Sequence, residues 1–549
     1  MHYVSVVAVP LFLTVVGFTG PVAGQEFAER FELWPIDLKI RGTIVAASDL
    51  SNVAIVKETL RRSDHAGQVG VLVEPNVPEE VVEKYRDVFH SDDDGDDAIT
   101  IERMTDDPAG QIERLVADRD ILCWIGSTAV AAEQQRTLRP ARDAFAKHLD
   151  SGGTIIAIGA VAELLSDYFY SQADTATSRG LNLVPNCAMA TNYDDSAEAR
   201  GQLLSILARH PRTVGIGIAK NTAVVLAGRK MRVVGMGAAT FWLMANEWQP
   251  LRVQSIAQQK SPRQPPEEYL IDLTEWRRDA IDRTLEPFPP AEPKTPLVEH
   301  GTLVIVGGGG MPDGLMDHFI ELAGGREQAK LVYIPCSEQD HVADHQRQVE
   351  QWHEMGVKHA TFIHTKDRKR ANTDAALLAP LRDATGIWFG GGRQWNFADS
   401  YYGTEVHRLM KNVLRRGGVI GGSSAGASIQ ARYLARATPI GNFRIMAPGY
   451  ERGGLGFISG VAIDQHFSHR GRQKDMTQLV NRYPQLLGIG IDEATAIIVR
   501  KSIAEVVGKG KVQFYDRHQP VYPDRLDYIA LPAGSRYDLA ERKVLEAAP

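Results

Sequence analysis

Four short segments recur along this chain in the same order and at nearly constant separation, and that internal repeat constrains the fold more than any single motif. Gly42-Thr43-Ile44-Val45 is matched by Gly301-Thr302-Leu303-Val304, and Cys123-Trp124-Ile125-Gly126 by Ile387-Trp388-Phe389-Gly390. Ser151-Gly152-Gly153-Thr154-Ile155 is matched by Arg416-Gly417-Gly418-Val419-Ile420, and Gly215-Ile216-Gly217-Ile218 by Gly488-Ile489-Gly490-Ile491. Each match is a short apolar run beside glycine. Further runs at Lys330–Pro335, Gly386–Gly390 and Gly418–Gly422 are separated by helix-length amphipathic segments. That alternation indicates βαβ units around a mostly parallel sheet. Any one match could arise by chance among βαβ proteins, but four in register are better explained by duplication. The expected fold is α/β, with two tandem doubly wound domains, each around one mostly parallel central sheet, related by internal duplication.

Two proline clusters mark the division: Pro262, Pro265 and Pro266, then Pro287, Pro289, Pro290, Pro293 and Pro296. The second reads as a semi-rigid extended linker. The domains are therefore expected at residues 30–260 and 299–549, joined by a Pro-rich linker at 261–298. At 549 residues the chain is too long for one core, which agrees with two domains. Residues 1–24 stand apart as a signal peptide. Val4–Phe18 is an apolar run followed by Pro21-Val22-Ala23-Gly24, where small residues suit a cleavage site, with the mature chain starting near Gln25. The run is too short for a membrane span. The expectation is a secreted or periplasmic protein with no membrane attachment after signal cleavage.

Composition narrows the partners. The net charge is −7 and no basic stripe stands out, which argues against nucleic acid. Cys123, Cys187 and Cys336 form neither a disulfide framework nor a metal-ligand spacing. The acidic stretch Asp92-Asp93-Asp94-Gly95-Asp96-Asp97 does not fit a calcium loop, because the glycine register puts His90 at the first ligand position and Ile101 at the last. It reads as a solvated surface loop. No metal and no cofactor is expected.

The chemistry concentrates in the second half. Gly422-Ser423-Ser424-Ala425-Gly426 fits G-x-S-x-G at a point where a strand run gives way to a helical pattern. A sharp strand-to-helix turn exposes the serine hydroxyl, so Ser424 is the candidate nucleophile and Ser423 its structural neighbour. A serine needs a base and the base an orienting acid. Downstream, the apolar stretch Leu455–Ile463 leads into Asp464-Gln465-His466-Phe467-Ser468-His469-Arg470-Gly471-Arg472, and Gly488–Ile491 leads into Asp492-Glu493. Upstream, Gly390-Gly391-Gly392-Arg393-Gln394 ends a strand with backbone amides of the kind an oxyanion hole uses. Four strand ends are thus expected on one rim, where open α/β sheets bind ligands.

These segments together, from Leu303 to Tyr515, resemble cyanophycinase, of the serine peptidase group that also holds dipeptidase E. The resemblance implies a class I amidotransferase-like, flavodoxin-like fold and a Ser–His–acid triad. Ser424 would be nucleophile, His466 base and Glu493 acid, with Asp492 a second choice for the acid. The oxyanion hole would be the backbone amides of Ala425 and of Gly391 or Gly392. Substrate contacts would come from Gln394, Asp464, Gln465, Arg470 and Arg472. The substrate implied is cyanophycin, a poly-aspartate carrying arginines, released as β-Asp-Arg dipeptides through an acyl-enzyme. Forked guanidinium groups suit a free carboxylate, and carboxylate and amide groups suit a substrate arginine. The resemblance departs at Gln473-Lys474-Asp475, where cyanophycinases tend to place a further arginine. That difference leaves short aspartyl or isoaspartyl peptides as an alternative substrate class.

Aligning the repeats pairs Ser424 with Gly159, His466 with Asn192, Glu493 with Lys220 or Ala219, and Gln394 with Val130. The first copy thus lacks nucleophile, base and acid, and reads as a degenerate domain. Family members commonly pair subunits, so an intrachain pseudo-dimer or a homo-oligomer is expected. A glutamine amidotransferase of the same architecture would need a cysteine where Ser424 stands. A non-catalytic binding protein is the remaining alternative.

Overall fold

Each half of the chain builds a large sheet, and the two sheets have the same strand order. The computed structural model describes residues 40–49, 68–89, 99–126, 138, 140–171, 176–258, 270–339, 345–440 and 444–546. In the first half the order is Ile99–Arg103, Val69–Val73, Ile121–Gly126, Thr154–Gly159, Ile40–Ala47, Thr222–Gly228, Lys230–Gly235, Leu270–Asp272. In the second it is His359–Phe362, Lys330–Ile334, Gly386–Phe389, Val419–Ser423, Val298–Val306, Thr495–Lys501, Ile503–Gly508, Arg536–Asp538, with Lys543–Glu546 added at the edge. Each sheet is parallel from its first strand as far as Ile40–Ala47 or Val298–Val306, and antiparallel beyond. Val69–Val73 and Thr154–Gly159 are buried at every residue, as parallel strands covered on both faces must be. The sheet registers shift one sequence match by a residue. Gly126 pairs with Gly159 and Phe389 with Gly422, so Trp124, opposite Ala157, stands where Phe389 does.

Each half also carries a second sheet, where one central sheet per domain was expected. In the second half this sheet runs Ala431–Tyr433, Ile458–Gln465, Leu487–Ile491, Lys511–Tyr515, Ile529–Pro532. In the first half Ser166–Ser171, Val184–Ala190, Val214–Ile218, Ala238–Leu243 and Arg252–Ala257 follow the corresponding order, with Ala176–Arg179 outside them. A fully apolar run such as Leu487–Ile491 encodes two covered faces and says nothing of which strands cover its edges.

The linker expectation is corrected in the same region. Leu270–Asp272 completes the first large sheet, and Leu273–Asp282 is an α-helix buried at all 10 residues. Asp272 caps it by accepting from Glu275 N at 2.9 Å. Leu273, Trp276 and Ala280 pack into the first half's core. The helix lies between the proline clusters, so proline content hid it; residues 287–296 carry neither helix nor strand.

The main apolar cores stay apart. Among the described residues, that of the second half draws only on residues from Val298 onward, and that of the first on none beyond Ala280. The seam between the halves is polar instead, with Arg229, Asp272, Arg278, Asp399 and Tyr450 buried together. The signal-peptide segment 1–24, the acidic loop Asp92–Asp97, Val130 and the first proline cluster lie outside the described residues. Among the described residues no helix is long and apolar enough to cross a membrane.

Candidate active site

The segment Gly422–Gly426 turns from the strand Val419–Ser423 into the short helix Ala425–Ser428. Ser424 sits at φ 58°, ψ −112° at that turn, a backbone conformation that costs a residue with a side chain about 1–3 kcal/mol. Glycine is required on both sides. A Cβ on Gly422 would lie 2.4 Å from the Gly426 carbonyl oxygen, and one on Gly426 2.3 Å from that of Phe389. Ser424 N donates to Val306 O at 3.0 Å, which pins the turn to the neighbouring strand.

Ser424 Oγ lies 2.9 Å from His466 Nε2, and His466 Nδ1 lies 2.6 Å from Glu493 Oε1. A carboxylate accepting from Nδ1–H leaves Nε2 as the acceptor for the serine proton. Asp492, the second choice for the acid, is engaged elsewhere. Its Oδ1 accepts from Ser468 N at 2.9 Å and its Oδ2 from Lys511 N at 3.0 Å. His466 and Glu493 follow strands of the second sheet, whereas Ser424 follows a strand of the large one. The three meet where the ends of two sheets come together, which corrects the expectation of a single rim.

The strand Val298–Val306 runs straight into four consecutive glycines, Gly307–Gly310. The structure shows what these glycines make room for. A Cβ on Gly308 would lie 2.5 Å from the His466 ring, and one on Gly309 2.3 Å from the Glu493 carboxyl carbon. Gly307 O accepts from His466 N at 2.7 Å, and Gly308 O from Ala494 N at 2.8 Å. Four consecutive glycines exceed what a turn needs, and that excess was the available signal.

Burial pushes the His466 imidazole below its ordinary pKa. The Glu493 hydrogen bond opposes that shift and the Arg470 charge adds to it. The same hydrogen bond holds the Glu493 carboxyl below the usual value. At neutral pH the pair is therefore a neutral imidazole beside a carboxylate, the state a general base requires. A Cβ on Gly391 would lie 3.6 Å from Ser424 Cβ, and Gly392, at φ 145°, leaves room for Cys336. Gly391 thus borders the serine, with Gly392 next to it in the chain and Ala425 next to Ser424.

The expected substrate contacts divide into two groups. Arg470 is exposed beside the triad. The others are buried, and each is held by groups of the protein itself. Asp464 accepts from Arg436 Nη2 and from Arg472 Nη1, both at 2.8 Å. Arg472 Nη1 also donates to Gln465 Oε1 at 2.9 Å. Gln394 Nε2 donates to the carbonyls of Ala435 and Arg436, each at 2.8 Å. Arg436, which sequence reasoning missed, also reaches Asp475 at 2.8 Å and sits at φ 57°. No local pattern ties it to Asp464; the pairing exists only in the fold.

In the first half, Gly159 ends its strand at φ 84° and Asn192 sits at φ 52°, where the second half has Ser424 at 58° and His466 at 51°. Lys220 precedes Asn221 at φ 56°, as Glu493 precedes Ala494 at φ 49°. The backbone turns recur without the side chains of a triad.

Residues 303–507 match the profile of Peptidase family S51. The chain is 30% identical over 204 residues to a cyanophycinase of Geminocystis herdmanii (strain PCC 6308), covering 37% of this chain and 74% of that protein. It is 28% identical over 243 residues to a cyanophycinase of Trichormus variabilis, covering 41% of this chain and 80% of the relative. Among solved structures, a peptidase from an acI-B1 Actinobacterium is 22% identical, with a TM-score of 0.33, covering 44% of this chain and 97% of its own. A putative peptidase E protein from Listeria monocytogenes is 17% identical, with a TM-score of 0.28, covering 38% of this chain and 98% of its own.

Proposed function

Because the chain belongs to peptidase family S51 and is a serine-type peptidase, we propose that it hydrolyses cyanophycin to β-Asp-Arg dipeptides through an acyl-enzyme on Ser424. The observation that carries the mechanism is the chain of contacts from Ser424 Oγ through His466 to Glu493, at 2.9 and 2.6 Å. In this reading His466 Nε2 takes the Ser424 proton as Oγ attacks the scissile carbonyl carbon. The negative charge that forms on the carbonyl oxygen is received by the amides of Ala425 and of Gly391 or Gly392. His466 then gives its proton to the departing amine, and the acyl-enzyme remains. Water, deprotonated by the same imidazole, releases the acid product and restores Ser424.

The exposed Arg470 guanidinium is the group available to a substrate carboxylate. The buried set Arg436, Asp464, Gln465, Arg472 and Gln394 supports the strand end that carries His466, rather than touching substrate. The second reading, hydrolysis of short aspartyl or isoaspartyl peptides, is favoured by one feature. Where the family tends to place an arginine, this chain has exposed Lys474, and Asp475 is tied to Arg436.

We propose further that the first half is a degenerate duplicate, paired with the catalytic half as an intrachain pseudo-dimer. The matched strand orders and matched positive-φ positions support that reading. Incubation of the purified protein with cyanophycin and with isoaspartyl peptides, read by mass spectrometry, tests the substrate. Release of β-Asp-Arg is expected. An intact polymer alongside cleaved short peptides would replace the first reading by the second.

A further inference from the structure

Gly390–Gln394, the segment assigned to the oxyanion, runs directly into the helix Trp395–Tyr401, all 7 of whose residues are buried. The first half grips that helix at Trp395 and at Asp399. The Arg229 guanidinium lies over the Trp395 ring, 4.4 Å from its centroid, and its Nη1 pairs with Asp399 Oδ2 at 2.5 Å. Arg278, fully buried on the helix Leu273–Asp282, pairs with Asp399 Oδ1. Tyr450 adds a hydrogen bond to the same oxygen at 3.0 Å. Arg229 is in turn anchored in its own half, its Nε on Asp272 Oδ2 at 2.5 Å and its Nη2 on Oδ1 at 3.1 Å. From the other side, Arg368 Nη1 holds the Asp399 carbonyl at 2.9 Å.

The grip is passed to the loop through short backbone links. Asn396 N donates to Arg393 O at 3.0 Å and Phe397 N to Gln394 O at 3.2 Å. Cys336 Sγ donates to Arg393 O at 2.9 Å. Gly391, four residues before Trp395, borders Ser424. A shift of the helix along its axis would therefore carry the Gly391 and Gly392 amides with it. Oxyanion donors work only within a few tenths of an ångström of their target.

We propose that Arg229 and Arg278, supplied by the half that lacks a triad, are positioning residues for catalysis: by holding Trp395 and Asp399 they set the amides of Gly391 and Gly392 against Ser424. This rests on the oxyanion assignment above and gives the first half a function. The forked guanidinium is essential to it, since one Arg229 side chain meets Asp272, Asp399 and a ring face at once. A lysine at that position keeps the charge and loses the fork.

The test uses the full chain and a reagent that needs no knowledge of the substrate. A fluorophosphonate reacts as Ser424 Oγ bonds to phosphorus, the proton passes to His466 and fluoride leaves, with the phosphoryl oxygen drawing on the same amides. Arg229→Lys and Arg278→Lys are expected to slow this labelling by about tenfold or more. On peptide substrate, kcat should fall with KM unchanged. Circular dichroism, with melting, counts the folded fraction, so a purely structural role would lower the melting temperature and leave the rate per folded molecule intact. Labelling of both folded variants within twofold of the native rate would overturn the proposal. Should either lysine variant fail to fold, Trp395→Leu, which removes the stacked ring and leaves the ion pairs, is read in the same assay against the same threshold. A native chain that fails to label at Ser424 would instead defeat the triad itself.

Discussion

Gly159 and Ser424 stand where corresponding strands of two sheets with the same strand order turn away, and both have positive φ, 84° and 58°. One carries no side chain and the other carries the hydroxyl that meets His466. Fluorophosphonate labelling followed by peptide mapping should therefore find one modified residue, Ser424. Ser424→Ala should remove all label and lower kcat by about 10³-fold or more, since the acyl-enzyme cannot form. Label retained in residues 30–280 would show a working site in the first half.

Gly308→Ala should be nearly inactive while remaining folded. The added Cβ would lie 2.5 Å from the His466 ring at a backbone φ of 91°. The imidazole must move off its line between Ser424 and Glu493, so kcat should fall by about 10²-fold or more. A crystal structure of the variant should show the ring displaced. Native activity would remove the glycine run from the account of the site.

The pH dependence of acylation follows from the His466 shift. The imidazole is active when neutral, and burial lowers its pKa. The rate of labelling should thus rise with pH through a midpoint below 6.5, the ordinary histidine value. Glu493→Gln removes a group that raises the histidine pKa, so the midpoint should move further down while the plateau rate falls. Arg470→Ala removes a group that lowers it, so that midpoint should move up. Shifts of the opposite sign would contradict the electrostatic assignment.

Arg470→Ala and Arg472→Ala should differ in kind. Arg470 is exposed, so its loss should raise KM for carboxylate-bearing peptides with little change in melting temperature. Arg472 is buried against Asp464 and Gln465. Its loss should cost about 3 kcal/mol of stability, because the Asp464 carboxylate loses one of its two cations. Steady-state kinetics and thermal unfolding on the same preparations separate the two.

Burial raises the Glu451 carboxyl to about 7, against hydrogen bonds from Tyr433 and Tyr483 that lower it. The folded protein therefore holds a proton there that the unfolded chain has released above 4.5. Its contribution to stability falls as pH rises from about 4.5 to about 7. Histidines buried neutral, such as His407, act in the opposite direction over part of this range, so the contribution is read by difference. Glu451→Gln should lose less stability than the native chain between pH 5 and pH 8, measured by urea unfolding. Equal losses would exclude a raised Glu451 carboxyl.

The local and periodic features of this protein are legible in the chain alone. Apolar runs beside glycine marked the inner strands, because a strand covered on both faces has no room for polar residues. G-x-S-x-G marked the turn at Ser424, because Gly422 and Gly426 have backbone oxygens where a Cβ would lie. His466 and Glu493 were legible as polar groups at strand ends. Tertiary structure alone decided which sheet each strand joined, since an apolar run is the same whichever neighbour covers it. It also decided the fate of the charged residues. Asp464 and Arg472 read as ligands for a substrate, yet Arg436, 28 residues before Asp464, takes up the carboxylate and makes the group internal. Arg229 and Asp399 lie 170 residues apart and meet only because two halves with separate cores share a polar seam. A charge pattern shows that a partner is needed; only the packed chain brings that partner within reach.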